Sequence, residues 1–480
     1  MNNGRIRTGI SGFDEILHGG LIPERTYLIR GGPGAGKTTF GLHFLLSGAR
    51  SNSLFITLGE SEQQLRENAK LCGLPMDDVA VLDLSPSLEE SGETYTLLES
   101  WEVEGNGVYE RILSHAQEHR PERIVIDSLS QMRYLAADTF LFRKQVMSLL
   151  RKLTALGATV LFTSEEGAGD DDEILPFLSD GVISLEQSEN GRHCQISKLR
   201  GSSFASGAHF FSLSDSGIRL YPRLVPGHHG RKVEHTLLGS GLPEFDALTH
   251  GGIERGTVTL LSGPTGVGKT TLGAQIMSEA AKRRERSVIY SFDEGSSTFF
   301  ARCEQVSLPV SDMIADGYLN FEPVEPLHYS PDEFADRVRY EVEECNTTMV
   351  MIDSLSGYQQ SVRGQGLEQR VHALCRYLVN MGVTVILVNE IFSITDQHTR
   401  VTEFGLSYLA DNIIILRYIE LESELRKSIG VLKKRAGNFE RALREFEVSS
   451  EGLKVGQPFH GLRGILSGTP EINKSRQDSE

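Results

Sequence analysis

Apolar residues in this chain cluster into short unbroken runs. In the first half they lie at 26–29, 54–58, 123–128 and 158–163, and in the second at 257–261, 288–292, 349–354 and 383–388. Runs this short that do not alternate with polar residues predict strands covered on both faces, as in a parallel sheet. Between them, 39–48 and 271–282 carry apolar residues at helical spacing and predict amphipathic helices. Strands alternating with helices predict right-handed βαβ crossovers. The expected fold class is α/β: two mostly parallel, twisted sheets with helices on both faces.

The pattern occurs twice. Thr8-Gly9-Ile10 leads through Gly12-Phe13-Asp14 to Gly19-Gly20; later, Leu242 and Glu244-Phe245-Asp246 lead to Gly251-Gly252. This predicts a first domain over 1–225, a linker over 226–232 containing Pro226, Gly227 and Gly230, a second domain over 233–465 and a flexible polar tail over 466–480.

Each half also spells a phosphate cradle. Gly31-Gly32-Pro33-Gly34-Ala35-Gly36-Lys37-Thr38 and Gly263-Pro264-Thr265-Gly266-Val267-Gly268-Lys269-Thr270 both fit G-x-x-x-x-G-K-[ST], with lysines 269 − 37 = 232 positions apart. Such a loop turns backbone N–H groups onto phosphates at a helix N-terminus, and its lysine reaches the outer phosphates. The candidate ATP-binding residues are Gly32, Gly34, Ala35, Gly36, Lys37, Thr38 and Thr39, with Gly266, Val267, Gly268, Lys269, Thr270 and Thr271 in the second copy. For Mg2+, Thr38 and Thr270 offer hydroxyls. Asp127 and Asp353, each ending an apolar strand and followed by serine, offer carboxylates.

Two further elements recur. After the strand that follows each cradle helix stand Gly59-Glu60 and Asp293-Glu294. A carboxylate there can polarise an attacking water, which makes Glu60, Asp293 and Glu294 catalytic candidates. Each half closes with a basic pair, Lys198 and Arg200 or Lys433 and Arg435, spaced to share one face of a strand. Such a pair can grip a γ-phosphate. The lysines are 433 − 198 = 235 positions apart, close to the cradle offset.

Composition narrows the class. The chain has 480 residues, 39% hydrophobic and 24% charged, which suits a water-soluble globular protein. A net charge of −17 argues against a protein whose main task is coating nucleic acid. Five scattered cysteines, without a C-x-x-C pair, give neither a disulfide framework nor a zinc site and suit a reducing cytoplasm. Neither an export signal nor a run of 18 apolar residues is present, so no membrane partner is expected.

With these residues in place, the chain resembles the KaiC family, doubled RecA-like ATPases, from about Thr8 to about Pro470. The domain starts, cradles, Asp-Ser strand ends, Lys-x-Arg elements and the segment Ile465-Leu466-Ser467-Gly468-Thr469-Pro470 fall in family order. The resemblance implies two tandem RecA-like domains, a homo-hexamer with ATP at subunit interfaces, and basic pairs that reach a neighbour's nucleotide. It implies signalling partners that dock through the C-terminal segment. It also implies paired catalytic glutamates where this chain has Gly59-Glu60 and Asp293-Glu294. Finally, it implies serine/threonine autokinase activity in the second domain. Counted from Ile394-Thr395-Asp396, the acceptor pair falls on Arg400-Val401; counted back from Ala410-Asp411-Asn412, it falls on Ser407-Tyr408. The second anchor keeps the strand at 413–416 in register, so Ser407 leads the candidates, with Thr402 and Thr395 behind it.

Two other classes stay open at the level of sequence. A RecA-type core also serves DNA-handling ATPases, and the altered acids Gly59 and Asp293 suit a nucleotide-gated scaffold with little turnover.

Overall fold

The computed structural model describes residues 4–48, 52–85, 100–136, 138–165, 174–189, 191–234, 236–362, 366–391, 408–421, 423–460, 462–463 and 471–472. The chain divides into two compact units, Met1–Arg223 and Leu224–Glu480.

The first unit is built on nine strands: β1 (Thr26–Gly31), β2 (Ser53–Thr57), β3 (Ala80–Asp83), β4 (Arg123–Asp127), β5 (Thr159–Glu165), β6 (Gly181–Ser188), β7 (Gly191–Leu199), β8 (Ala208–Ser214) and β9 (Gly217–Tyr221). They form one sheet in the order β3-β2-β4-β5-β1-β6-β7-β8-β9. The strands from β3 to β6 run parallel, and β6 to β9 form an antiparallel meander.

The second unit opens with a two-stranded ribbon, β10 (Leu237–Leu238) with β11 (Ile253–Glu254). It then repeats the scheme with β12 (Val258–Gly263), β13 (Ser287–Ser291), β14 (Leu319–Pro323), β15 (Met349–Asp353), β16 (Thr384–Glu390), β17 (Asn412–Leu421), β18 (Glu424–Lys434), β19 (Arg444–Ser449) and β20 (Gly452–Pro458). Their order, β14-β13-β15-β16-β12-β17-β18-β19-β20, is the same as in the first unit. The expected mostly parallel sheet is present twice. The meander was legible only as the basic strand at each domain's end.

The apolar runs are central strands because helices cover both faces. One core of the first unit packs Phe40, Phe44 and Leu45 of the cradle helix onto Tyr27, Ile29 and Val125; another packs Leu28, Ile124 and Ile126 against Val146, Leu149 and Leu153. Each fully buried Leu, Ile or Phe contributes ~1.5–3 kcal/mol of transfer free energy. Cys194, Cys303 and Cys375 are buried, while Cys72 and Cys345 are half-buried. Residues 226–232 fall within the second unit: Asn380 Nδ2 donates to the Pro226 carbonyl at 2.9 Å, and Arg231 N–H to the Asn380 carbonyl at 2.9 Å. Among the described residues no helix is long and apolar enough to cross a membrane.

Candidate nucleotide sites

Both cradles sit at the carboxyl end of a central strand, β1 or β12, that is paired in parallel on both sides. That is where ligands of open α/β sheets bind. The helices Lys37–Leu46 and Lys269–Lys282 begin at the cradle lysines rather than two residues later. Gly36 (φ 99°) and Gly268 (φ 112°) cap them in the left-handed region, where a Cβ is strained. That turn aims the first N–H groups of each helix into the loop. Lys37 Nζ donates to the Gly31 and Gly32 carbonyls at 2.8 and 3.0 Å; Lys269 Nζ donates to Gly263 and Pro264, both at 2.8 Å. Burial pushes the Lys269 ammonium down in pKa, against the pull of Glu390, Asp353 and Asp293.

The candidate Mg2+ ligands meet in both units. Thr38 Oγ1 donates to Asp127 Oδ2 at 2.6 Å, and Thr270 Oγ1 to Asp353 Oδ2 at 2.6 Å. A hydroxyl and a carboxylate this close, beside a phosphate loop, are the hard oxygen donors that Mg2+ takes, so the residues fit the ion. Asp127 also accepts a bond from Thr163 Oγ1 at 2.5 Å; no such bond reaches Asp353 among the described residues. Burial pushes the Asp353 carboxyl up to about 6, against the Thr270 hydrogen bond, which lowers it.

The acids after β2 and β13 do not share one environment. Glu60 accepts a short bond from Asn68, and Glu294 pairs with Arg302 at 2.6 Å, each eight residues along the next helix. Asp293 turns the other way: its Oδ2 accepts from Ser354 Oγ at 2.7 Å, and its charge acts on Lys269 and Asp353.

The basic pairs are not beside the cradle of their own unit. Arg200 N–H donates to the Asp180 carbonyl at 2.8 Å, and Asp180 N–H to the Thr26 carbonyl at 2.8 Å. Arg200 therefore stands level with the first residue of β1, and the cradle begins at the last. Five steps of strand are about 16–17 Å. Arg435 repeats this through Asp411 and Val258. Lys198 Nζ is anchored on the Pro176 and Ser179 carbonyls, and Lys433 Nζ on Ala410. Arg200 and Arg435 remain largely exposed, 3.8 and 2.8 Å from Asp180 and Asp411.

Four groups at the sites were not picked out from sequence. Arg192 and Lys427 reach from β7 and β18 to the Gly34 and Gly266 carbonyls at 2.8 and 3.1 Å, and they share the 235-residue offset of the basic pairs (427 − 192). Glu390, in register with Gly263, accepts from Thr265 Oγ1 at 3.2 Å and stands 3.9 Å from Lys269. The fourth, Gln131, lies over Gly59. The acceptor candidates Ser407, Thr402 and Thr395, the segment 465–470 and all of the tail 466–480 except 471–472 lie outside the described residues.

Two sheets of this order, each with a phosphate loop on its central strand and an aspartate two strands away, define a tandem RecA-like P-loop nucleotide-binding protein. The chain belongs to the KaiC ATPase family, whose model matches residues 6–225 and 238–459. It is 27% identical to the circadian clock oscillator protein KaiC of Acaryochloris marina, over 97% of this chain and 91% of that protein. It is also 27% identical to the KaiC of Synechococcus elongatus and 28% identical to the KaiC 1 of Synechocystis, each over 97% of this chain and 92% of the relative.

Proposed function

We propose that this protein binds Mg-ATP at both cradles and hydrolyses it, as a homo-hexamer in which neighbouring copies complete the pockets. The observation that supports this reading is the repeated constellation of loop lysine, Thr-Asp pair and terminal basic pair. Loop N–H groups and Lys37 or Lys269 hold the outer phosphates, while Thr38 with Asp127, or Thr270 with Asp353, hold Mg2+. The ion supplies charge neutralisation on the phosphate oxygens. In the second site Asp293 faces the attacking group and accepts its proton. Lys198 and Arg200, or Lys433 and Arg435, stand too far along the sheet to serve their own cradle and act on a neighbour's γ-phosphate.

The second unit transfers the γ-phosphoryl group to its own chain as well as to water, with Ser407, then Thr402 and Thr395, as acceptors. The output is regulatory, in a soluble cytoplasmic setting, with protein partners read through the C-terminal segment. Steady-state phosphate release by wild type, Lys37→Ala and Lys269→Ala, with mass spectrometry after incubation in Mg-ATP, tests the reading. Each single variant keeps part of the hydrolysis, and only Lys37→Ala keeps phosphate incorporation. Equal incorporation by Lys269→Ala contradicts the assignment.

A further inference from the structure

The two sites differ by a reciprocal exchange of one large and one small residue. In the second unit Asp293 follows β13 by two residues, and Gly357 lies four residues after Asp353. A Cβ placed on Gly357 would meet Asp293 Oδ1 and Oδ2 at 2.8 and 2.9 Å, so this glycine makes room for the carboxylate. In the first unit the matching positions are Gly59, two residues after β2, and Gln131, four residues after Asp127. Here the glycine and the side chain have changed places. A Cβ on Gly59 would meet Gln131 Nε2 at 2.3 Å, Cδ at 3.2 Å and Oε1 at 3.3 Å. The Gln131 carboxamide, carried on the 3-10 turn Leu129–Leu135, fills the ground that the acid occupies in the second unit.

We infer that Gln131, not Glu60, is the catalytic residue that orients the attacking water in the first site; this rests on the ATP-hydrolase reading above. Glu60 is the counterpart of Glu294, and both carboxylates are engaged by the following helix, with Asn68 and Arg302. A carboxamide offers one acceptor oxygen and two N–H donors, enough to hold a water by one O–H and to donate to a phosphate oxygen. It has no proton affinity to act as a base at neutral pH, so the step differs from that at Asp293. The water oxygen bonds to the γ-phosphorus. The bond from that phosphorus to the β–γ bridging oxygen breaks, its electron pair leaves on ADP, and the water's proton passes to an oxygen of the released phosphate. Amide side chains position water in this way in other phosphate-loop hydrolases. The exchange gives one chain two hydrolytic sites of different chemistry: one with a general base, one that only positions.

The test reads first-site turnover in full-length Lys269→Ala protein, with ATP affinity measured separately by titration of a fluorescent nucleotide. Adding Gln131→Ala is expected to lower kcat about 10- to 100-fold and change the affinity less than about threefold, since only an interaction with the attacking water is lost. Gly59→Ala keeps the glutamine but drives it from its place and is expected to give the same loss. The paired change Gly59→Asp with Gln131→Gly installs the second unit's arrangement and restores turnover to at least the parent's. Turnover unchanged by Gln131→Ala, or lost on Glu60→Gln alone, overturns this inference. A parent that binds Mg-ATP at the first cradle without hydrolysing it overturns the reading beneath.

Discussion

Ser354 donates its hydroxyl to Asp293 Oδ2 at 2.7 Å, joining the residue after Asp353, at the end of β15, to the acid beyond the neighbouring β13. The bond holds Asp293 beside Asp353 and Lys269, whereas Glu294, one residue on, is held by Arg302. The two adjacent acids therefore sit in different surroundings. In a Lys37→Ala background, Asp293→Asn should lower second-site hydrolysis about 100-fold, the usual worth of a positioned base. Glu294→Gln should cost less than about fivefold, since a partly exposed ion pair contributes little. Phosphate-release rates check both, and the reverse order of damage contradicts the arrangement.

The register that places Arg200 level with Thr26 and Arg435 level with Val258 predicts complementation between copies. Lys37→Ala chains lack a working first cradle but keep Arg200; Arg200→Ala chains keep the cradle. Both are combined with Lys269→Ala to silence the second site. In co-expressed rings, about a quarter of head-to-tail interfaces pair an intact cradle with an intact arginine. First-site hydrolysis should return to about a quarter of the parent's rate, though each variant alone is inactive. Silent mixed rings would place the basic pair's action within one chain.

His43, on the first cradle helix, predicts how acid affects the first unit. Ile218 N–H donates to its Nε2 at 2.9 Å, and burial holds its pKa below 6.5. The folded state keeps the ring neutral, so below pH 6.5 the unfolded chain takes up the proton first. Stability is then complete above 6.5 and falls as pH drops toward the depressed folded value. Urea unfolding followed by a first-unit probe should show this loss between pH 7.5 and 5.5, and His43→Gln should flatten it. An unchanged pH profile in the variant would remove His43 as the cause.

Much of this was legible in the sequence because the signals were local and doubled. The cradle at Lys37 and Lys269 and the strands ending at Asp127 and Asp353 need only a few consecutive residues, and each appears twice. The antiparallel meander was seen only as its basic strand, because half-exposed strands such as β7 and β19 lack an unbroken apolar run. The different surroundings of Asp293 and Glu294 were also hidden: adjacency along the chain says nothing of which carboxylate faces Lys269. Gln131 could not be found from its own neighbours. Its meaning lies in the exchange with Gly59, which only the fold brings together.

The doubled cradle predicts two nucleotides bound per chain. Equilibrium titration of the purified protein with Mg-ATP, under conditions that block turnover, should reach two equivalents per chain. Lys37→Ala and Lys269→Ala should each reach one, and the double variant none. One equivalent or fewer bound by the wild type at saturation would contradict it.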